Sequence, residues 1–214
     1  DMDAVFDHLA NQNRRPRLQR LLMAPFDLQR SLIEKIDAVG LAAERGEGGR
    51  IVAKMNALTD EDLVEALVRA GRRGARIDLI VRGACMLPAG RAGWTENIRV
   101  RSIIGRFLEH SRVFYFGMGA RDELYLSSAD WMNRNMLRRV ELAWPVTDKR
   151  LRQRIINECL IAYLHDDRDA WTLQPDGRYA RAPHVLDGHG AQQALMARYA
   201  AQPIEPRQRP RAWT

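Results

Sequence analysis

Cysteine is scarce in this 214-residue chain, and long apolar runs are missing. The two cysteines, Cys85 and Cys159, lie far apart, and neither belongs to a CxxC or Cys/His cluster. This excludes the usual zinc motifs and favours a reducing, cytosolic compartment. No apolar run approaches the roughly 20 residues that span a bilayer, and the N-terminus has no secretory pattern. Because 46% of the residues are hydrophobic, we expect a cytoplasmic globular protein with a buried core.

Lysine is also rare. The 34 basic residues include only Lys35, Lys54 and Lys149, so 31 are arginine, and the formal net charge is +7. The arginine side chain is a rigid, permanently charged fork that matches pairs of phosphate oxygens. Two interpretations remain open at this point: a polyanionic partner, or a genomic base composition that favours arginine codons.

The chain divides into three predicted parts. Residues 1–20 hold one short amphipathic stretch and a polar, Pro-interrupted connector, with too little apolar surface to fold alone. Since the chain also begins at Asp1 rather than methionine, we expect a fragment of a longer protein, with residues 1–20 as a linker or the end of a preceding domain. Residues 21–181 form the predicted main domain, and residues 182–214 a modest helix around 190–200 and an unstructured Pro/Arg-rich tail.

The spacing of apolar residues predicts an α/β fold with a mixed sheet flanked by helices. A helix is expected over 26–44, another from a capping box of Thr59 and Asp62 through about Ala70 with a stop at Gly71 and Gly74, and a third after Asp148 up to Leu164. A small hairpin is expected over 171–181. The strand, helix and strand within 50–82 predict a parallel βαβ unit. The β-type runs are 50–56, 76–82, 98–104, 112–116, 123–128 and 139–146.

Polar residues two apart stand at or near the ends of several predicted strands. Side chains at i and i+2 of a strand share a face, so each pair can present two groups to one place. A solvated face of an edge strand is the better explanation of any single pair, but several pairs at strand ends favour a ligand site. Arg82 ends its own strand and precedes Gly83, where a bare backbone permits close approach. The pairs are Lys54 with Asn56, Arg99 with Arg101, His110 with Arg112, and Ser128 with Asp130.

His110 differs from the other four histidines in the residues around it. Arg112 lies on the same predicted face, and Glu109 and Arg106 are close in sequence. Histidine can act as nucleophile, proton donor or structural hydrogen-bonding residue. The remaining histidines occur in connectors or polar ends, and we assign no role to His8, His165, His184 and His189.

Five separated strings resemble the C-terminal catalytic domain of bacterial polyphosphate kinases. They occur in the order and with gaps compatible with that family, and the resemblance covers about residues 20–180. The strings are KMNAL (54–58), DLIVRGAC (78–85), ENIRVRSIIGRFLEHSRVFYFG (96–117), YLSSADWMNRN (125–135) and RRVELAWPV (138–146).

The resemblance implies a fold similar to phospholipase D domains. That motif is a histidine, one residue and a lysine, followed later by a Gly-Ser-x-Asn-like strand end. The matching positions are His110-Ser111-Arg112 and Ser127-Ser128-Ala129-Asp130. Arg112 replaces the lysine and Asp130 replaces the asparagine, and polyphosphate kinases show similar replacements. These two differences argue against phosphodiester hydrolysis but not against phosphate handling.

The resemblance also implies the chemistry. The family transfers the terminal phosphate of ATP reversibly to inorganic polyphosphate, through a phosphohistidine on the preceding domain and with Mg²⁺. Arg82 and His110 match residues used around the nucleotide phosphates, with His110 as the catalytic candidate. No metal ligand is expected in this chain. The supporting candidates are Lys54, Asn56, Arg112, Ser128 and Asp130, and Arg99, Arg101 and Arg106 are candidates for guiding polyphosphate.

The implied partners are polyphosphate, the upstream domains of the same enzyme and further copies in a homo-oligomer, with no specific nucleic acid. The implied location is the cytoplasm, and a peripheral position at the inner membrane is the alternative. Alone, the chain is expected to be inactive. Two alternatives stay open: a phospholipase D-like phosphodiesterase, which needs a second histidine from a dimer mate, and a basic module that binds any polyanion.

Overall fold

One mixed sheet of nine strands forms the centre of the computed structural model, which describes residues 1–11, 15–181, 188 and 190–201. Its order is β1-β7-β6-β5-β2-β3-β4-β8-β9. The predicted α/β class is therefore confirmed. The strands are β1 (Leu22–Ala24), β2 (Gly49–Met55), β3 (Arg76–Val81), β4 (Ile98–Ile103), β5 (Arg112–Met118), β6 (Arg121–Ser127), β7 (Glu141–Pro145), β8 (Ala170–Leu173) and β9 (Tyr179–Arg181).

Helices pack on the sheet, and most of them follow the predicted ranges. A π-helical segment, Ile156–Ile161, joins α5 to α6, so the predicted single helix after Asp148 is one continuous but irregular helix. The short elements α4 and β1 were not predicted. The helices are α1 (Met2–Asn11), α2 (Leu28–Glu44), α3 (Glu61–Arg72), α4 (Asn133–Leu137), α5 (Lys149–Ile155), α6 (Ala162–Leu164) and α7 (Ala191–Ala200).

The predicted βαβ unit is confirmed, with one correction in its helix. Strands β2 and β3 pair in parallel, from Arg50 opposite Arg76 to Met55 opposite Val81. The N-cap of α3 is Asp60, whose carboxylate accepts from Leu63 N (3.1 Å), so the predicted capping box of Thr59 and Asp62 is wrong. The helix ends at Arg72, and the predicted glycine stop is confirmed at Gly74, which has a φ of +94°.

Strand directions bring four chain segments to one edge of the sheet. Strands β2, β3 and β4 run parallel, β5 is antiparallel to β2, and β6 is antiparallel to β5. The ends of β2, β3 and β6 and the start of β5 therefore lie on the same edge. The hairpin predicted over 171–181 is confirmed as β8 and β9.

Two apolar clusters lie on opposite faces of the sheet. The larger one contains Leu32 of α2, Leu67 of α3 and Ile51 of β2. The smaller one contains Val52 of β2 and Leu160 of the π-helical segment, and Ala191 of α7 belongs to it as well. Because side chains alternate along a strand, Lys54 faces the second cluster, as Val52 does.

The earlier expectations for the C-terminal part of the chain and for its domain division have different outcomes. The helix predicted around 190–200 is confirmed as α7, whereas the predicted tail beyond 201, His184 and His189 lie outside the described residues. The division into 1–20, 21–181 and 182–214 stays a prediction. Within the described ranges, none of the helices is both long and apolar enough to cross a membrane.

Candidate active site

Six of the seven predicted site residues meet at this edge of the sheet. Lys54 and Asn56 come from the end of β2, and Arg82 follows β3. His110 and Arg112 stand at the start of β5, and Asp130 lies in the turn after β6. Their convergence follows from the strand directions, because neighbouring parallel strands end on the same side and antiparallel ones begin there.

The Asp130 carboxylate is at the centre of the hydrogen-bond network. It accepts from Arg112 Nε (3.2 Å) and Nη2 (2.9 Å), and from the backbone N (2.7 Å) and Nδ2 (3.3 Å) of Asn56. Burial by itself raises the pKa of Asp130, but the hydrogen bonds from Arg112 and Asn56 outweigh it and hold the pKa below its ordinary value. Asp130 is therefore an ionised partner that fixes two other side chains.

Arg82 is held in place by neutral groups. Its Nε donates to Asn56 Oδ1 (2.8 Å), and its backbone oxygen accepts from Ser102 Oγ (2.8 Å). A Cβ atom at Gly83 would lie 3.1 Å from the backbone oxygen of Asn56, so a glycine allows β2 and β3 to stay close where they end. Among the described residues, Arg82 has no acidic partner, and its guanidinium keeps its charge for a ligand.

His110 is exposed and lies against the Arg112 guanidinium. Arg112 Nη1 is 3.3 Å from His110 Nδ1, and Nη2 is 3.2 Å from Nε2. Arg112 Nη1 also donates to the backbone oxygen of His110 (2.9 Å). Asp130 therefore acts on His110 only through Arg112, which both residues contact.

Lys54 is buried in a second ionic group, which lines the same small pocket as Asn56 and Arg82. Its ammonium contacts the Glu109 carboxylate and lies 3.3 Å from the centre of the Tyr163 ring. Burial lowers the pKa of Lys54, and the charge of Glu109 opposes this effect. The Tyr163 hydroxyl also donates to Glu109, and burial together with Glu109 raises the pKa of that hydroxyl.

The carboxylates at this edge do not form a magnesium site. Mg²⁺ takes near-octahedral oxygen ligands and is bound by carboxylates that are free to coordinate. Asp130 and Glu109 instead face Arg112 and Lys54, and the described part of the chain holds no group of three or more side chains suited to a metal. The residues here do not fit Mg²⁺.

Ser128 is not brought to the site, contrary to expectation. Its hydroxyl donates to Glu141, and its oxygen accepts from Leu142 N (3.0 Å), both on β7. Strand β6 ends at Ser127, and beyond this point the chain turns, so that Ser128 and Asp130 do not share a face.

Arg101 does not face a ligand either. Its Nη1 donates to backbone oxygens of Tyr163 (3.2 Å), Leu164 and Asp166 (3.4 Å), which cap the end of α6. The guanidinium therefore satisfies carbonyls that have no partner at a helix end. Arg99 and Arg106 are exposed and remain candidates for guiding a polyanion.

Three residues of this region were missed as site residues. Glu109 was noted only as a neighbour of His110, and Tyr163 and Gln192 were not considered. Gln192 Nε2 donates to Glu109 Oε1 (2.9 Å), although 83 positions separate the two residues. Glu109 could have been found from its place beside His110, whereas Tyr163 and Gln192 carry no local signal.

A groove of about 580 Å³ lies away from this edge of the sheet, between α5 and α7. Two of its arginines are paired: Arg154 and Arg198 both contact the Glu158 carboxylate, and Arg154 Nη2 donates to the Tyr199 hydroxyl (2.7 Å). The third, Arg150, is exposed and has no acidic partner among the described residues. The groove thus offers an anion one unpaired arginine and none of the predicted site residues, so the sheet edge is the better candidate.

Comparison with known proteins gives a consistent result. Residues 21–193 match the family model described as polyphosphate kinase C-terminal domain 2. The polyphosphate kinase of Paraburkholderia phytofirmans is 46% identical over 201 residues, which cover 94% of this chain and 29% of that protein. That of Pseudomonas aeruginosa is 49% identical over 181 residues, which cover 85% of this chain and 26% of that protein.

A solved structure agrees with the sequence matches. The crystal structure of polyphosphate kinase from Porphyromonas gingivalis superposes with a TM-score of 0.85 at 33% identity. The superposition covers 94% of this chain and 31% of that chain. The present chain thus spans less than a third of the length of each of these three proteins.

Proposed function

This chain belongs to the polyphosphate kinase C-terminal domain 2 family, and from that premise we propose that it forms part of an active site that transfers the terminal phosphate of ATP reversibly to inorganic polyphosphate. One observation supports this assignment most directly. Among the described residues, three cationic side chains lie at the sheet edge. Lys54 faces Glu109 and Arg112 faces Asp130, whereas the Arg82 side chain donates to the neutral Asn56 and has no acidic partner among these residues. Arg82 is the cation that a phosphate can bind without displacing an acid.

The chemistry requires positioned positive charge more than covalent participation. In phosphoryl transfer, the bond from phosphorus to the leaving oxygen breaks as the bond to the nucleophile forms, and negative charge spreads over the transferred and leaving oxygens. We assign Arg82 to these phosphate oxygens. His110, which is exposed beside Arg112, would donate a hydrogen bond or a proton to the leaving oxygen.

The supporting residues would act by fixing these two. Asn56 holds the Arg82 guanidinium at 2.8 Å, and Asp130 holds Arg112, which in turn contacts His110. Following the resemblance, we place the phosphorylated histidine and the Mg²⁺ site in an upstream domain. A homo-oligomer and a cytoplasmic location are part of the same proposal.

A phospholipase D-like phosphodiesterase is less well supported. In that motif a lysine two residues after the histidine supplies free positive charge. Here Arg112 holds this position and makes two hydrogen bonds to Asp130, so that much of its charge is already neutralised. Hydrolysis of a generic phosphodiester by this chain would nevertheless favour the alternative.

The experiment compares His110→Ala and Arg82→Ala with wild type in the full-length enzyme, using ATP and a polyphosphate primer at matched folding stability. We expect each variant to lose about a hundredfold or more in rate, as for removal of a positioned acid or charge clamp. Arg72→Ala is the control, because it removes the same charge from an exposed position at the end of α3, before β3 begins and thus at the opposite end of that strand from Arg82. Near-normal rates for both site variants would overturn the assignment.

A binding measurement separates the proposal from a nonspecific polyanion module. Binding of polyphosphate that collapses with salt and ignores both substitutions would indicate general electrostatic attraction by the +7 chain. We expect instead that Arg82→Ala weakens binding more than Arg72→Ala at the same salt concentration, since of these two arginines Arg82 is the one at the converging strand ends.

A further inference from the structure

The side chain of Gln192, on α7, forms hydrogen bonds with the segment that precedes His110. Its Oε1 accepts from Phe107 N (2.8 Å), and its Nε2 donates to Phe107 O (2.9 Å) and to Glu109 Oε1 (2.9 Å). One amide therefore binds both backbone groups of Phe107 as well as the carboxylate two residues later. Gln192 is itself buried, with 5% of its surface exposed.

The segment between β4 and β5 needs such a contact, because its apolar side chains do not anchor it. Ile104, Phe107 and Leu108 are exposed, Leu108 to 77%. Without burial of these side chains, hydrogen bonds must hold the backbone that precedes His110. The amide of Gln192 supplies two of them at Phe107.

Glu109 extends this contact to the sheet. Its carboxylate accepts from Gln192 and from the Tyr163 hydroxyl, and it pairs with the Lys54 ammonium on β2. The residue directly before His110 is thus tied to α7, α6 and β2 at once. We propose that Gln192 is a positioning residue, which holds residues 105–109 so that His110 is presented at the start of β5 toward the phosphate site.

The helix that carries Gln192 is well placed for this role. Asp166 Oδ2 accepts from Ala191 N (2.7 Å), which fixes the first residue of α7, and Ala191 is buried. On the other side, a Cβ atom at Gly105 would lie only 2.5 Å from Gln192 Oε1. The absence of a side chain at Gly105 lets the two segments approach.

The inference rests on the proposed function, and its test uses the full-length enzyme. Gln192→Ala removes the amide, and Gly105→Ala displaces it from the loop side without altering α7. The matched control is Gln193→Ala, because Gln193 Oε1 has no hydrogen-bond partner among the described residues. Two quantities are measured for each variant: kcat and KM for ATP in phosphotransfer, and the hydrogen-exchange rate of the Phe107 amide.

We expect kcat to fall about 10-fold to 100-fold in both Gln192→Ala and Gly105→Ala, as for misplacement of a catalytic group by about 1 Å, while KM changes little. The Phe107 amide should exchange faster in both variants and at the wild-type rate in Gln193→Ala. The double variant should lose no more than the worse single one, because both break the same contact.

The outcomes distinguish the two proposals. If wild type transfers phosphate and Gln192→Ala retains its kcat while its Phe107 amide exchanges faster, the positioning role is overturned and the proposed function stands. If the Phe107 amide exchanges at the wild-type rate in Gln192→Ala, the hydrogen bond from Phe107 N to Gln192 Oε1 does not hold this segment, and the positioning role is overturned as well. If wild type transfers no phosphate, the proposed function fails and the positioning role fails with it.

Discussion

The ion pair of Asp130 and Arg112 gives the sharpest stability prediction. Asp130→Asn keeps the shape of the side chain and one acceptor oxygen but removes the charge. Arg112 Nη2, which donates to Asp130 Oδ2 at 2.9 Å, would then face an amide, and the guanidinium would remain buried without a counter-charge.

The expected cost follows from burial. Removing one partner of a buried ion pair costs about 3–5 kcal/mol, because it leaves an uncompensated charge. The side chains of Arg112 and Asp130 are 12% and 11% exposed, so that some solvent reaches the pair. We therefore expect the lower end of that range, about 3 kcal/mol in the free energy of unfolding near neutral pH.

The pH dependence has a definite sign. The pKa of Asp130 is lower in the folded protein than in the unfolded chain, because the hydrogen bonds from Arg112 and Asn56 outweigh burial, which alone would raise it. Such a carboxyl stabilises the fold above its unfolded pKa, and the contribution is lost as pH falls through the folded pKa. The difference between wild type and Asp130→Asn should thus be constant above about pH 5 and shrink below about pH 4.

Urea unfolding at several pH values measures this difference. Asp37→Asn is the matched control, since the same change then affects a more exposed pair with the same two-bond geometry: Asp37 and Arg69 are 31% and 45% exposed, and Arg69 Nε and Nη2 donate to the Asp37 carboxylate at 3.3 and 3.1 Å. We expect this control to cost less than about 1 kcal/mol. A similar cost for both variants, or an Asp130→Asn difference that does not shrink in acid, would refute the reasoning.

Two further comparisons test the site and one helix. In the full-length enzyme, Asn56→Ala should lower kcat/KM about tenfold, because Arg82 loses the amide that orients it, whereas Ser128→Ala should change it less than about twofold; equal losses would contradict the geometry. In urea unfolding, Asp60→Ala should lower the free energy of unfolding by about 1 kcal/mol, because it removes the N-cap, and Thr59→Ala should lower it by less than about 0.5 kcal/mol. The reverse order would indicate that Thr59 caps the helix after all.

The sequence alone was sufficient for the features that depend on local periodicity. Alternating apolar residues and a helical repeat between them predict β2, α3 and β3, and a parallel unit then places Asn56 and Arg82 at one edge. Those two side chains are in contact at 2.8 Å. The prediction succeeds because neighbouring parallel strands leave little choice about where their ends lie.

The same rule fails where a strand stops. Ser128 and Asp130 are two apart, but β6 ends at Ser127, and beyond the ladder the period of two no longer determines direction. Arg101 is inside a strand, yet its guanidinium caps a helix more than 60 positions later in the chain. Contacts of this kind depend on tertiary packing, which no local pattern contains. The same holds for the hydrogen bond between Gln192 and Glu109.

The pairing of charges would allow the phosphate site that we propose to be selective in an arginine-rich chain. If Lys54, Arg82 and Arg112 were all unpaired, they would repel one another and would attract any polyanion by charge alone. Glu109 and Asp130 neutralise two of the three and fix their positions, and Asn56 orients the third without neutralising it. A phosphate then gains most at one guanidinium whose direction is already set, which is the condition for stabilising charge that develops at a defined oxygen.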